Sequence, residues 1–390
     1  MPKVFRIGVV AGEASGDQLG AGLISNLKKY FPDAEFVGIG GAKMQQQGFR
    51  SLFPMERLSV MGLVEPLKRL PELLRIRRRL FHYFISHQFD LVVGIDSPDF
   101  NLGLELRLRR RGIKTAHYVS PSVWAWRQGR IRKIAKAVDR MLTLLPFEAD
   151  FYRQYRVPVT FVGHPLAEEI PFENDTAAAR QALDLPVDAI VLAIMPGSRA
   201  SEVAQLGTLF LEVARHCQQK IPGLLLVIPA ANAARRQQIE EQLRDFPELP
   251  VKLLNGNSHQ AMAAADAVLL ASGTTALEAM LLKKPMVVSY RMGNMSYRIF
   301  SKMIKVPYIS LPNLLAAKML VPECIQSDAT VERLSAELLP LLTDKEKASA
   351  LQEIYLELHR QLQQGGNARA AKVLSGMLVG DSAKGDDEAL

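Results

Sequence analysis

Short β-rich apolar runs alternate with stretches of helical periodicity along almost the whole chain, in two successive sets. The first set covers residues 4–10, 35–39, 91–95, 114–119, 141–144 and 159–162, with helical spacing at 19–30 and 102–111. The second covers 190–195, 224–228, 251–254, 267–270 and 286–289, with helical spacing at 203–216, 234–246 and 275–282. Such alternation predicts parallel sheets covered by helices: an α/β chain with two doubly wound domains. Pro and Gly cluster between Gly163 and Pro171 and mark the boundary. The expected division is 1–165, 166–345, a helical C-terminal segment 346–378 and a disordered acidic tail 379–390. A length of 390 residues fits two domains of ordinary size. Open parallel sheets bind ligands outside the carboxyl ends of their strands. Chemistry is therefore sought in the loops after the strands and in a cleft expected between the domains.

Hydrophobic residues make up 48% of the chain and charged residues 23%, a balance that can bury real cores and excludes disordered and collagen-like polymers. Two cysteines, Cys217 and Cys324, are too few for a disulfide framework or a Cys-based zinc site and point to a reducing compartment. The histidines show no His-x-x-x-His or similar spacing, so no metal is expected. His164, beside Pro165, reads as a hinge or packing residue. The apolar run 7–12 meets Glu13 too early for a signal peptide. No stretch of about 18 uncharged apolar residues exists to cross a membrane. The net charge of +8 hides an asymmetry. Up to Gly163, 26 Lys and Arg stand against 14 Asp and Glu, a balance of +12; from His164 onward 22 stand against 26, a balance of −4. The first half is suited to an anionic surface or ligand, with nucleic acid and anionic membrane both candidates on charge alone.

Residues 11–17, Ala-Gly-Glu-Ala-Ser-Gly-Asp, follow the first run and open a helical stretch. Gly12 and Gly16 allow close backbone approach, and the free amides of a helix start suit an anion or a hydroxyl-rich ligand. Glu13, Ser15 and Asp17 are the candidate contacts, although Ser15 or Asp17 could equally cap the helix. The loop has neither the Gly-x-Gly-x-x-Gly spacing of dinucleotide sites nor the Gly-Lys-Ser/Thr of a Walker loop. Asp96 ends the apolar run 91–95, where a carboxylate can act as general base toward a substrate hydroxyl. Asp99 and Asn101, just beyond, either join this chemistry or merely cap the next helix, with the cap favoured for Asp99. Residues 118–126 hold both tryptophans, Trp124 and Trp126, beyond Ser120 and ahead of the basic run Arg127, Arg130, Arg132, Lys133 and Lys136. Aromatic and basic groups together suit a phosphorylated sugar or lipid headgroup, and equally suit ordinary packing behind a solvated helix.

In the second half, Gly197, Ser198, Arg199 and Glu202 follow the run 190–195. Amides, a guanidinium and a helix start converge there on a phosphate. Ser272, Gly273, Thr274, Thr275 and Glu278 repeat the arrangement after 267–270, with Glu278 placed to accept from a ribose diol. The competing reading is a capping box from Thr275 to Glu278, which the matching chemistry at 196–202 weakens.

Residues 58–84 are the unusual stretch. Val60, Leu63, Val64, Leu67, Leu70, Leu73, Leu74, Leu80 and Phe84 fall close to helical spacing, and between Arg57 and Arg79 there are seven basic residues and two acids. Pro66 and Pro71 are expected to break the stretch into pieces. A basic amphipathic helix of this kind reads as membrane docking through Val64, Leu67, Lys68, Arg69, Leu70, Leu73, Leu74 and Arg75. A core-facing helix with a charged outer face is the competing reading. No nucleic-acid-binding motif accompanies the charge, so nucleic acid is set aside.

Five motifs, in order along residues 7–378, resemble the lipid-A-disaccharide synthase family. They are Gly-Glu-x-Ser-Gly-Asp at 12–17, Gly-Ile-Asp-x-Pro-Asp-Phe at 94–100, His-Tyr-Val-Ser-Pro-Ser-Val-Trp-Ala-Trp at 117–126, Pro-Gly-Ser-Arg at 196–199 and Ser-Leu-Pro-Asn-Leu-Leu at 310–315. The third is long and specific; the loops at 196 and 272 occur in other sugar-nucleotide transferases of the GT-B class. The resemblance implies a GT-B fold, two Rossmann-like domains about a deep cleft. It implies transfer of 2,3-diacylglucosamine from its UDP derivative to 2,3-diacylglucosamine 1-phosphate, giving the β-1,6-linked lipid A disaccharide 1-phosphate and UDP. The transferase would be inverting, with no metal or other cofactor, and would work on the cytoplasmic face of the inner membrane. Its partners would be the two glycolipids and the anionic membrane surface, with a homodimer as a candidate state. By motif match, Asp96 falls on the acid the family uses in catalysis, and Arg199 and Asn313 fall on active-site positions.

The residues agree with that chemistry. A base must take the proton of the acceptor 6-hydroxyl, and Asp96 is placed for it. Growing charge on UDP needs fixed donors, which Gly197, Ser198, Arg199 and the helix starts after Ser198 and Gly273 can supply. Two rival readings remain. Another GT-B enzyme, such as the transferase that adds N-acetylglucosamine to lipid I or a UDP-sugar 2-epimerase, shares the loops, but an epimerase acting on a soluble sugar has no use for residues 58–84. A membrane-binding module without activity has no use for nucleotide-type loops in both halves.

Overall fold

Residues Leu91–Ile95 show why the chain folds in layers. Leu91, Val93 and Ile95 enter one hydrophobic core and Val92 enters another, so this strand is buried on both faces. A strand apolar on both sides needs a cover on each side, and helices joining parallel strands provide it. The computed structural model describes residues 3–58, 65–293, 297–298, 301 and 303–380. The chain divides into two units, Met1–Glu168 with Leu362–Leu390, and Glu169–Gln361.

In the first unit the strands are β1 (Arg6–Ala11), β2 (Glu35–Ile39), β3 (Arg50–Ser51), β4 (Leu91–Ile95), β5 (Lys114–Tyr118), β6 (Arg140–Thr143) and β7 (Val159–Phe161). They form a sheet in the order β3-β2-β1-β4-β5-β6-β7, with every pairing parallel. The helices Ala14–Tyr30 and Gly366–Val379 line one core with Leu19, Leu23, Leu27, Ala370 and Leu374. The helices Glu65–Ser86 and Pro98–Arg109 line the other with Ile76, Leu80, Phe84, Leu104 and Leu108. In the second unit β8 (Val191–Met195), β9 (Leu225–Ala230), β10 (Val251–Asn255), β11 (Ala267–Ala271), β12 (Met286–Tyr290) and β13 (Glu323–Ile325) run in the order β10-β9-β8-β11-β12-β13. All of these pairings are parallel too. Each sheet therefore reverses its winding once, between β1 and β4 and between β8 and β11, and the crevice at such a reversal is where doubly wound sheets take ligands.

One expectation needs correction, and the sequence pattern leaves two features out. β3 and β13 have no counterpart in the sequence pattern, because strands of two and three residues are too short to show a period and exist only through their partners β2 and β12. Pro66 and Pro71 do not break residues 65–86, which form one helix. Pro66 stands in the first turn, where its missing N–H has no partner to lose, and Pro71 forfeits a single bond. The helical C-terminal segment is present, and its helices divide between the two units. The helix Lys345–Leu362 lies in the second unit up to residue 361, whereas Gly366–Val379 packs on Ala14–Tyr30 in the first, where Tyr118 OH donates to Asn367 Oδ1 at 3.2 Å. His164 stands where this returning chain is tied, its N–H donating to Leu362 O at 2.9 Å. Of the tail, residues 381–390 lie outside the described residues.

The helix Glu65–Ser86 joins both readings of its sequence. Its C-terminal half is core, with Leu80 and Phe84 fully buried, as the competing reading has it. In its N-terminal half Leu73 packs against that core from a half-buried position, while Leu70 and Leu74 are 47% and 44% exposed. Val64 lies outside the described residues, and of Leu67 and Lys68 only the helical backbone is described. Leu80→Ala is expected to cost about 2–5 kcal/mol of stability. Leu70→Ser and Leu74→Ser should each stay within about 0.5 kcal/mol of wild type, and chemical denaturation of the three variants checks the contrast.

Candidate active site

At the carboxyl end of the first sheet the backbone is held in conformations that side chains resist. Asp96 and Ser97, directly after β4, have φ of 51° and 43°, and Val119, directly after β5, has φ of 77°. Cβ crowds the backbone in this left-handed region, and a β-branched residue is seldom found there. Strain of this kind persists only where the surroundings over-determine it, and it gathers at functional sites. Asp96 N–H donates to Tyr118 O at 2.9 Å, tying the turn to β5. The Asp96 carboxylate is half-buried and makes no hydrogen bond to another described residue. Gly12, at the end of β1, closes on this turn: a Cβ there would lie 2.4 Å from Ser97 Oγ.

The other first-half candidates divide. Glu13 and Ser15 are exposed at the start of the helix Ala14–Tyr30, where Glu13 is the N-cap residue and no side chain caps the amides. Ser15 and Asp17 thus do not cap this helix. Asp17 is buried and uses both oxygens on the neighbouring loop, accepting from Gly41 and Met44 N–H at 2.8 and 3.1 Å and from Lys43 N–H at 3.0 Å. It holds that loop and is not free for an acceptor substrate. Asp99 is exposed and ion-paired with Arg130, and it caps nothing. Ser120 is buried, donating to Pro121 O at 2.9 Å and lying 3.0 Å from Tyr152 OH. Trp126 is half-buried, with the Arg127 guanidinium 4.4 Å from its ring.

Trp124 depends on a carboxylate that the sequence pattern does not single out. Its Nε1–H donates to Glu148 Oε1 at 3.1 Å, and its ring meets Phe147 edge-on at 4.8 Å. Glu148 also accepts from Leu145 N–H at 3.2 Å, inside the first turn of the helix Pro146–Gln154. Burial pushes its carboxyl up to about 7, against the pull of those hydrogen bonds. Its only signal in the sequence is an acid at a helix start after β6.

In the second unit the two similar loops behave differently. Glu202 is buried beside Gly197, accepts from Ser198 and Arg199 N–H at 3.0 and 3.1 Å, and receives Arg199 Nη1 at 2.7 Å. A Cβ at Gly197, whose φ is 115°, would fall 2.5 Å from that side chain. Glu202 thus folds back on the amides at the N-cap of its helix, and the two amides expected to hold phosphate are already occupied by a carboxylate. Arg199 itself remains 77% exposed. At the second loop no side chain caps the helix Thr274–Leu281, and Gly273 and Thr274 are exposed, which leaves the first amides open. Ser272 N–H is tied to Ser289 O at 2.9 Å, and Thr275 is half-buried. Glu278 does not reach back to Thr275; it pairs with His259 Nε2 at 3.4 Å. That contact raises the histidine's pKa. His259 escapes sequence reasoning because its only cue is a position just beyond β10.

Asn313 corrects the expectation drawn for it. It is fully buried, on a helix, Leu311–Ala316, that packs against Thr274–Leu281. Its Nδ2 donates to Val321 O and Glu323 Oε1 at 2.9 and 2.8 Å, and its Oδ1 accepts from Leu320 and Val321 N–H at 2.7 and 2.8 Å. An amide with both donors and both lone pairs engaged has nothing left for a sugar. Among the described residues no three His, Cys, Asp or Glu side chains gather to hold a metal, and no helix is long and apolar enough to cross a membrane.

Residues 7–377 match the family model described as lipid-A-disaccharide synthetase. The lipid-A-disaccharide synthase of Pseudomonas aeruginosa strain LESB58 is 56% identical over 370 residues, which cover 95% of this chain and 97% of that one. Among solved structures, a putative UDP-N-acetylglucosamine 2-epimerase from Listeria monocytogenes superposes with a TM-score of 0.66 at 12% identity, covering both chains fully. The glycotransferase of kitacinnamycin superposes with a TM-score of 0.62 at 16% identity, covering 96% of this chain and 100% of that one. At such identities the solved structures speak for the GT-B fold alone.

Glu148 yields a pH test. A carboxyl whose pKa is raised on folding contributes stability below its unfolded pKa and loses it as pH rises through about 7. In a Trp126→Phe background, Trp124 fluorescence should titrate with a midpoint of about 7. Glu148→Gln should abolish that titration and flatten the fall in stability between about pH 5 and pH 8. A titration unchanged in the glutamine variant would assign the midpoint to another group.

Proposed function

This chain belongs to the lipid-A-disaccharide synthetase family, and from that membership we propose how its loops carry out the transfer. It is a glycosyltransferase that forms the lipid A disaccharide. The donor is UDP-2,3-diacylglucosamine and the acceptor 2,3-diacylglucosamine 1-phosphate. Asp96 accepts the proton of the acceptor 6-hydroxyl as that oxygen attacks the anomeric carbon on the face opposite UDP. The anomeric configuration inverts, and the product is the β-1,6-linked disaccharide 1-phosphate. The observation that carries this assignment is the Asp96–Ser97 turn: two successive left-handed residues at the winding reversal, presenting a carboxylate that no described residue engages.

The transition state is oxocarbenium-like, and UDP leaves without needing an acid. The charge that grows on its phosphates meets the open helix start at Gly273, Thr274 and Thr275 together with the exposed Arg199 guanidinium. Glu202 acts by fixing the 197–199 loop so that Arg199 points outward, and Glu278 with His259 offers acceptor and donor atoms to the ribose. Glu13, Ser15, Trp124 and Trp126 lie on the acceptor side. Asp96→Asn should lower kcat by about 10²–10⁴-fold while UDP affinity by calorimetry stays at the wild-type value. Near-normal turnover would move the base elsewhere, to Glu13 first.

Both substrates are acylated, so the protein must meet a membrane. The exposed Leu70 and Leu74 lie one helical turn apart, with Arg75, Arg78 and Arg79 exposed beside them. An apolar wedge plus basic charge is the pairing that gives reversible docking on an anionic bilayer, here the cytoplasmic face of the inner membrane. The double variant Leu70→Ser/Leu74→Ser should leave anionic vesicles in flotation while melting as wild type does, and wild-type binding should weaken with salt. Retained flotation would exclude this face.

A further inference from the structure

Three polar side chains lie buried behind Asp96, and the mechanism above uses none of them. Asn101, Glu105 and His117 are 1%, 1% and 0% exposed. Asn101 sits in the first turn of the helix Pro98–Arg109, its N–H bonded to Ser97 O at 3.0 Å. Its Nδ2 donates into a cluster of carbonyls at the ends of β1 and β4: Asp96 O at 2.8 Å, Val10 O at 3.1 Å and Ile95 O at 3.4 Å. The side chain thus closes the crevice between the two strands at the winding reversal and grips the main chain of Asp96 itself. It is not the helix cap that its position in the sequence indicates.

One helical turn further on, Glu105 Oε1 lies 2.8 Å from His117 Nδ1 on β5 and packs against Gly94 on β4. Gly94 pairs with His117 in the sheet register. No other residue fits at 94, since a Cβ would lie 2.2 Å from Glu105 Oε1 and 2.7 Å from Asn101 Cβ. Asn101 Oδ1, Glu105 Oε2 and His117 Nε2 have no partner among the described residues. Burying polar atoms unpaired is costly, and an apolar trio of similar volume would pack this core without that penalty. What the polar side chains supply is direction: Asn101 Nδ2 is aimed at particular carbonyls, and His117 Nδ1 at the Glu105 carboxylate.

We propose that Asn101, backed by the Glu105–His117 pair, is the positioning device that holds the strained Asp96–Ser97 turn so that the Asp96 carboxylate faces the acceptor hydroxyl. None of the three touches substrate. The proposal rests on the assignment of Asp96 as the base, and the test separates the two.

Asn101→Asp puts an oxygen where Nδ2 faces the carbonyls. It should lower kcat by about 10–100-fold and leave the KM for the UDP-sugar within about twofold. The same substitution in an Asp96→Asn background should cause no further loss, because its whole effect runs through that carboxylate. An equal loss in both backgrounds, or none in the wild-type background, overturns the proposal. Asp96→Asn with full turnover overturns the base assignment instead. Should Asn101→Asp fail to fold, the His117 variants decide. His117→Asn keeps a donor at the Nδ1 position and should hold kcat within about threefold, whereas His117→Leu should lose about tenfold or more. Wild-type kcat in His117→Leu would overturn the proposal.

Discussion

Burial of the central strands on both faces is the constraint from which the rest follows. β4 is buried from Leu91 to Ile95 and β8 from Val191 to Met195, so neither strand can carry a working polar group along its length. Chemistry is displaced to the ends of the strands, where the backbone leaves the sheet. Parallel pairing puts every such end on one edge, and the winding reversal opens a crevice in that edge beside β1 and β4 and again beside β8 and β11. Asp96 and the 197–199 and 272–275 loops stand there for this reason, and no specialised local sequence is needed to put them there.

The carboxylates of these loops show how little a motif says about a role. Glu202 is the third residue past the N-cap of its helix and Glu278 the fifth past the N-cap of its own, and each is the first acid of that helix. Glu202 turns back on its own loop and takes two amides; Glu278 turns outward to His259. The difference lies in how far each acid sits from its N-cap and in the glycine ahead of each helix. Gly197 leaves room for a side chain to fold under the turn, whereas the start at Gly273 is extended, with φ of 162°, and no side chain caps it. Asp17 and Asn313 follow the pattern of Glu202, their polar atoms satisfied by neighbouring backbone, and so they shape loops.

The helix Glu65–Ser86 resolves two readings by dividing between them. Its register turns Ile76, Leu80 and Phe84 into the core, and the same register turns Leu70, Leu74, Arg75, Arg78 and Arg79 outward. A helix with one apolar stripe either packs or docks; this one has a stripe that leaves the core at Leu73.

The sequence by itself determined the layers, the parallel sheets and the loops that carry the site. Continuous apolar runs such as 91–95 and 267–270 can be buried only on both faces, and that information is local. It also marked Asp96, because an acid that ends such a run has nowhere else to be. Only the tertiary structure decided which polar groups are free. Asp17, Asn313 and Ser120 read as ligands in one dimension because their partners lie in other segments, as Gly41 does for Asp17, Glu323 for Asn313 and Tyr152 for Ser120. The contacts of Glu148, His259 and the Asn101–Glu105–His117 trio are illegible in the sequence for the same reason. A hydrogen bond between distant segments leaves no period in the sequence, and only folding shows which atoms it has taken.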